Sequence, residues 1–388
     1  MARWSCVLYL SLTVALVLPV ARPPSHVVCG GAALDYCVQS LGCTAEEAAK
    51  AERVLLPNIV KSMTCAQADE RCSRLQSALG LRDSELKRMV LVQPPLLGYN
   101  LEYVAEKLEW LKSRLALSDA ELKKIVLYSP KVLSYGRDTK LEPSIAWLQS
   151  RLNLSIAELR KVLLGKPGLL GLQSKVFSPR LGWLQSTLHL SDSELKKVVL
   201  LRPTILVQSV EARLAPTLRW LNGTLDLSDD ELRTTVLRFP SILTYNVETN
   251  LAPTLEWIQS RLDLGNSELS KLVRVSPQVL SFNIETNLSP KIDFFEKEIG
   301  LSLSEVRASL LVSPSRLGMS LKKRYRPRLE VCRAAGADPV VVLNRAAHTD
   351  ERFCKGLNVP LEALRAAQEN VQCDVFDRKT PSTRRRAD

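Results

Sequence analysis

The sequence predicts an all-α fold, a superhelical solenoid of about seven 37-residue helical repeats. Several columns of residues, all holding one phase, predict it. Prolines stand at Pro94, Pro130, Pro167, Pro203, Pro240, Pro277 and Pro314, in steps of 36 or 37. A second proline column runs Pro143, Pro179, Pro216, Pro253, Pro290 and Pro327. Eight residues before each proline of the first column comes an apolar anchor: Leu86, Leu122, Leu159, Leu195, Leu232, Leu269 or Val306. Composition agrees, since aromatics are only 5% while apolar residues reach 46%. Stacked helices suit that balance better than a β-sandwich, whose strands favour aromatic and β-branched residues.

The chain opens on an address. Residues 1–21 read as a signal peptide: Arg3, then an apolar run from Cys6 to Leu18, then Pro19 and Ala21. The run is short for a membrane span, which implies cleavage and no stable membrane insertion afterwards. Residues 22–45 read as a transit-like segment, because Asp35 is the first acid in the chain. A signal peptide followed by an acid-poor stretch resembles the two-part presequence of proteins sent to plastids. A mitochondrial destination and plain secretion are the other readings. Residues 46–72 are expected to form an N-terminal helical or linker segment.

The repeats are expected over 73–330, and the unit beginning at Leu117 shows how each is built. Ser118 and Glu121 form a capping box that satisfies free backbone donors and starts a helix. The box recurs as Ser155/Glu158, Ser191/Glu194, Ser228/Glu231 and Ser302/Glu305. Leu122, Ile125 and Val126 share a face at i, i+3, i+4 spacing. Pro130 lacks an amide donor and disfavours helix at the residue before it, so the first helix stops there. Pro143 then fits the first turn of a second helix carrying Ile145, Trp147, Leu148 and Leu152. Tryptophans recur at Trp110, Trp147, Trp183, Trp220 and Trp257, with Phe294 continuing the column. They are read as inter-repeat core rather than as a platform for stacking bases. One unit cannot bury both apolar stripes, so units must stack.

Residues 331–374 lose the period but still read as helices, with Pro339 to Arg345 and Pro360 to Asn370 as candidates capping the last repeat. Residues 375–388, rich in Arg, read as a disordered basic tail.

The whole pattern, L-x-L-S-x-x-E-L-x-x-V-V-x-x-x-P-x-x-L followed by N-L-x-P-x-L-x-W-L, closely resembles the motif of the mitochondrial transcription termination factor family. The segment from Ser228, SDDELRTTVLRFPSILTYNVETNLAPTLEWIQSRL, is the cleanest copy. SLKKRYRPRLEVC, from Ser320 to Cys332, looks like the basic closing segment of that family. HTDERFCKGL, from His348 to Leu357, resembles its terminal motif. The resemblance covers about residues 73–357 and departs at Tyr103, where later units have proline, and in the third unit. It implies a left-handed solenoid bent into a half-ring whose concave basic face binds nucleic acid, double-stranded DNA in most members and RNA in some. It also implies work inside an organelle on transcription termination or regulation, splicing or ribosome assembly, alongside organellar transcription or RNA-processing proteins. A monomer is expected.

Charge points the same way. The net charge is +12, and the repeats at 73–320 hold 32 basic against 26 acidic residues. A polyanionic partner follows, although charge alone fits DNA, RNA or an anionic membrane equally. The strongest candidate cluster is Lys322, Lys323, Arg324, Arg326 and Arg328, five cations in seven residues with no acid before Glu330. A second set, Lys131, Lys166, Arg202, Arg238 and Arg274, lies around the first proline column without a local acid. Cations at helix C-termini also suit the helix dipole. A third pair of columns follows the anchors. The first is Lys87, Lys123, Arg160, Lys196, Arg233 and Arg307, and the second Arg88, Lys124, Lys161, Lys197 and Lys271. A glutamate precedes every anchor, so ordinary pairing at i, i+3 within the helix explains these columns as readily as phosphate does.

No catalytic role is expected: the chain has no GxxxxGK[ST], HExxH or GxSxG motif. No cofactor or metal is expected either, because no cysteine falls between Cys72 and Cys332 and the three histidines are far apart. The competing function is a helical scaffold that binds protein partners.

Overall fold

The computed structural model describes residues 39–52 and 64–373, with side chains to residue 370. The segments expected to be a signal peptide and a disordered basic tail, and most of the one expected to be transit-like, lie outside the described residues. The described chain is helical, with no strand among its residues. It divides into two compact units, Met1–Tyr103 and Val104–Asp388.

In the larger unit every first helix is ten residues long and ends two residues before its proline: Asp119–Tyr128, Ile156–Gly165, Asp192–Leu201, Asp229–Arg238, Asn266–Val275 and Leu303–Val312. A 3-10 turn begins at each proline, as in Pro130–Ser134 and Pro240–Thr244. The serine caps accept from the Glu amides of their boxes, and the Glu side chains accept from the cap amides at 2.8–3.0 Å. At Gly265 only the backbone half of the box survives, with its amide 3.0 Å from Glu268.

The second helices depart from expectation in one respect. Their prolines lie one turn inside, because a five-residue π-type turn precedes them at Arg137–Leu141, Val210–Leu214, Val247–Leu251, Ile284–Leu288 and Leu321–Tyr325. A proline has no amide to bond four residues back. The residue before it instead bonds five residues back, as Glu142 does to Arg137 and Ala215 to Val210.

Consecutive repeats join through a left-handed residue two places before each cap: Ala116, Asn153, His189, Asp226 and Asp263, with φ between 45° and 49°. Ala116 has no side-chain acceptor to ease that conformation. Ala116→Gly is therefore expected to stabilise the protein by about 0.5–1 kcal/mol, after the entropy cost of glycine. Denaturant unfolding checks it, and a loss of stability would show that the junction is not strained.

A column of donors staples four of the second helices to the turn of the next repeat. Lys107 donates to the Leu133 carbonyl at 2.7 Å, Ser144 to Leu172 at 2.7 Å, Arg180 to Leu206 at 3.0 Å, and Lys291 to Leu317. Lys107 and Lys291 are each 3% exposed, and burial pulls both ammonium groups down to about 8. Between pH 8 and the unfolded lysine value near 10.4 the unfolded chain binds more protons. Stability should therefore rise with pH across that window, by at most about 1.4 kcal/mol per pH unit per lysine. Lys107→Met and Lys291→Met should each flatten the rise in pH-dependent urea unfolding. An unchanged slope would place these ammonium groups in water.

The tryptophans correct the expectation of a core column. Trp110, Trp147, Trp183, Trp220 and Trp257 are half-buried. The fully buried position is the next residue, Leu111, Leu148, Leu184, Leu221 and Ile258. Trp147 stacks on Phe177 at 5.7 Å, and Arg137 lies 5.9 Å from the Trp110 ring. Only Phe294 in this column is buried.

The smaller unit shows repeat-like structure starting before residue 73. Thr44 and Glu47 make a capping box for the helix Ala45–Glu52, two residues after left-handed Gly42. Ala48 and Ala51 take the buried positions that leucine, isoleucine or valine takes later, which hid the unit from the anchor column.

Helices Val340–Asn344, Asp350–Lys355 and Leu361–Cys373 close the larger unit, the last packing on Arg326–Ala334.

Candidate nucleic-acid interface

Stacking decides which cations are available. The first column after the anchors is paired, but to the preceding repeat rather than within its own helix. Arg160 lies 3.8 Å from Glu121, Lys196 2.8 Å from Glu158, and Arg233 2.6 Å from Glu194, while Arg307 pairs with Glu268. Lys87 repeats the geometry in the smaller unit, 3.1 Å from Glu47. The Arg233 bond, then the Ser191 amide and hydroxyl, hold Glu194 at about 2. This ladder is a clamp between repeats.

Arg274 belongs to that clamp, which corrects its place among the binding candidates. Ser270 interrupts the ladder column, and Arg274, one turn later on the same helix, pairs with Glu231 instead. Of the other helix-end residues, Lys131 and Arg238 are exposed and Lys166 and Arg202 half-buried. Arg202 reaches the Thr244 hydroxyl at 3.2 Å and Arg238 the Arg274 carbonyl at 2.7 Å. None of these four forms an ion pair among the described residues. Their position at helix C-termini is favourable to the dipole, so the fold alone accounts for them.

The closing segment divides sharply. Arg328, offered as a surface contact, is completely buried. Its guanidinium donates to the carbonyls of Arg345 at 2.9 Å and His348 at 2.8 Å and to Asp350 at 2.7 Å. It also lies 4.5 Å from the Phe353 ring centroid. Arg328 ties the closing segment to the terminal motif and offers nothing to solvent. Arg324 gives one nitrogen to the Ala346 carbonyl at 2.9 Å, and Arg326, 53% exposed, sits 3.3 Å from Glu298. Lys322 and Lys323 form no ion pair among the described residues, and Lys323 is exposed.

Comparison with the equivalent turns shows why these two lysines matter. Asp138, Glu211, Glu248 and Glu285 hold the acidic second position of the earlier π-type turns; Lys322 holds it here. Ser320 still caps the turn, accepting from the Lys323 amide at 3.0 Å, so the fold does not require the change. Cations at a helix N-terminus oppose the dipole, and an anion there relieves the conflict. Dipole direction singles out Lys322 and exposure singles out Lys323, where the density of basic residues separates neither from its neighbours.

Among the described residues no group of His, Cys, Asp and Glu could hold a metal, and no helix is long and apolar enough to cross a membrane. No curated protein matches the chain. The family model mTERF matches residues 38–191 and again residues 186–353. The two matches run through the repeats, the closing segment and most of the terminal motif, and by them the chain belongs to the mTERF family.

Proposed function

We propose that this protein binds nucleic acid, duplex DNA in preference to RNA, and regulates transcription inside an organelle, by termination or a related step. The reversal of charge at Lys322, at a helix N-terminus where the earlier turns carry acids, with exposed Lys323 beside it where they carry neutral residues, carries the reading. Family membership supports it, because mTERF proteins are nucleic-acid-binding regulators of organellar gene expression. Arg324 and Arg326 flank the pair, while Lys131, Lys166, Arg202 and Arg238 extend the basic character along the turns. Phosphate is what such side chains recognise, and a duplex presents it regularly. Base stacking is a poorer fit, since Trp147 and Trp110 already face Phe177 and Arg137. Delivery by the segments 1–21 and 22–45 to a plastid belongs to the same reading.

The test is a titration of the full mature chain with a labelled duplex and with single-stranded RNA of the same sequence at one salt concentration. Tighter duplex binding is expected. Tighter RNA binding would turn the assignment toward splicing or ribosome assembly, and binding of neither would leave the protein scaffold. Sequencing nucleic acid crosslinked in the organelle then identifies the target.

A further inference from the structure

We propose that the outward face of the first-helix row is a second interaction surface, one that docks an acidic amphipathic helix of a protein partner. First helices of successive repeats pack side by side along the larger unit. Each turns its anchor and the residues three and four places on into the core, as Leu122, Ile125 and Val126 do. The positions two and six places after the anchor therefore point the opposite way.

What stands there is unusual for a solvated face. Among the described residues of the larger unit six large apolar side chains are exposed, and all six are on first helices. Four of them occupy the same repeat position: Tyr128 at 70%, Leu201 at 51%, Val275 at 49% and Val312 at 82%. Singly exposed apolar residues need no explanation, but recurrence at four of the six places of one column, with Gly165 and exposed Arg238 at the other two, makes an interrupted stripe. One helical turn before that column stand Lys124, Lys161 and Lys197, all exposed. They form no ion pair among the described residues, although Lys124 is near enough to Glu121 to help hold its carboxylate down.

A phosphate backbone would use the lysines and gain nothing from the aliphatic column, whose burial is worth roughly 25 cal/mol per Å². An acidic amphipathic helix uses both. Neighbouring helices in a row lie about 8–10 Å apart, and residues i and i+7 of a helix about 10.5 Å apart. A partner lying across the row can thus set one apolar residue beside each repeat and flank it with carboxylates facing the lysines.

The probe is a labelled synthetic helix with leucine at heptad spacing and glutamate beside it, titrated into the full mature chain by fluorescence anisotropy. A scrambled peptide of identical composition is the control. Saturable binding is expected for the patterned peptide and at least tenfold weaker binding for the scramble. Tyr128→Ser with Leu201→Ser, and separately Lys124→Glu with Lys197→Glu, should each weaken it about tenfold with the helical fold unchanged by circular dichroism. Lys322→Ala with Lys323→Ala should leave it unaltered, which separates this surface from the nucleic-acid reading. Equal binding of the scramble, or no saturation, overturns the proposal. So does loss of duplex binding in the neutral Tyr128→Ser, Leu201→Ser variant, which would assign the face to nucleic acid.

Discussion

Arg328→Leu is expected to destabilise the larger unit by roughly 3–5 kcal/mol, the usual cost of removing one partner from a buried ion pair. The guanidinium is wholly enclosed, and its loss removes a donor from the carbonyls of Arg345 and His348 and leaves Asp350 with Gln368 alone. Leucine fills part of the volume but donates nothing. Arg328→Lys keeps the charge yet cannot reach three acceptors in a planar fork, so an intermediate loss is expected. Urea unfolding gives the magnitude, and hydrogen exchange gives the location: Val340–Asn344 and Asp350–Lys355 should lose protection before the repeats do. The acid limb supplies an independent check. Burial raises Asp350, but bonds from Arg328 and Gln368 outweigh it and hold the carboxyl below its ordinary value. That stabilisation is present above the unfolded aspartate value of about 3.9 and is lost as pH falls through the folded one. Arg328→Leu should remove it. A loss under about 1 kcal/mol, with protection unchanged, would mean that the terminal helices do not depend on this residue.

Legibility in the sequence followed the range of the physics. Proline acts on its own amide and on the residue before it, so Pro130, Pro240 and the others marked helix ends to within two residues. A capping box spans four residues, and the serine boxes were all readable. The partner of Arg233 was not, because Glu194 is 39 residues away and meets it only when repeats stack. Arg274 looked like an unpaired helix-end cation for the same reason. A repeat period reveals which positions are equivalent without revealing which way they face, and the half-buried tryptophans were misread on that account. Arg328 and Lys322 are six residues apart in one basic run, and chemistry alone makes them alike. Only burial separates a structural pin from a surface charge. The π-type turns had no signature beyond the prolines, which fit an ordinary first turn equally well.

Duplex affinity is expected to fall by roughly 10³–10⁵ between 50 and 200 mM salt if six to ten phosphates are neutralised, because each contact releases condensed counterion. The slope of log affinity against log salt counts those contacts at about 0.9 apiece on duplex DNA. Lys322→Ala with Lys323→Ala should therefore lower affinity across many sequences and flatten the slope by about two. The fold should hold, since Ser320 caps the turn and Tyr325 fills the core independently of either lysine. Relieving cations that oppose the helix dipole should, if anything, stabilise the free protein slightly, which marks these residues as kept for binding. Arg274→Ala makes the contrasting control. Its partner is Glu231 in the preceding repeat, so its loss should loosen the stack while leaving the salt slope as it was. Arg238→Ala, with an exposed guanidinium on a carbonyl, should remove about one further contact if the turn edge tracks the same backbone. Should the lysine variant bind as tightly as the parent at every salt, the closing segment is not the interface. The phosphate contacts would then lie elsewhere on the repeats, and the exposed lysines of the first-helix face, Lys124, Lys161 and Lys197, would be the next to replace.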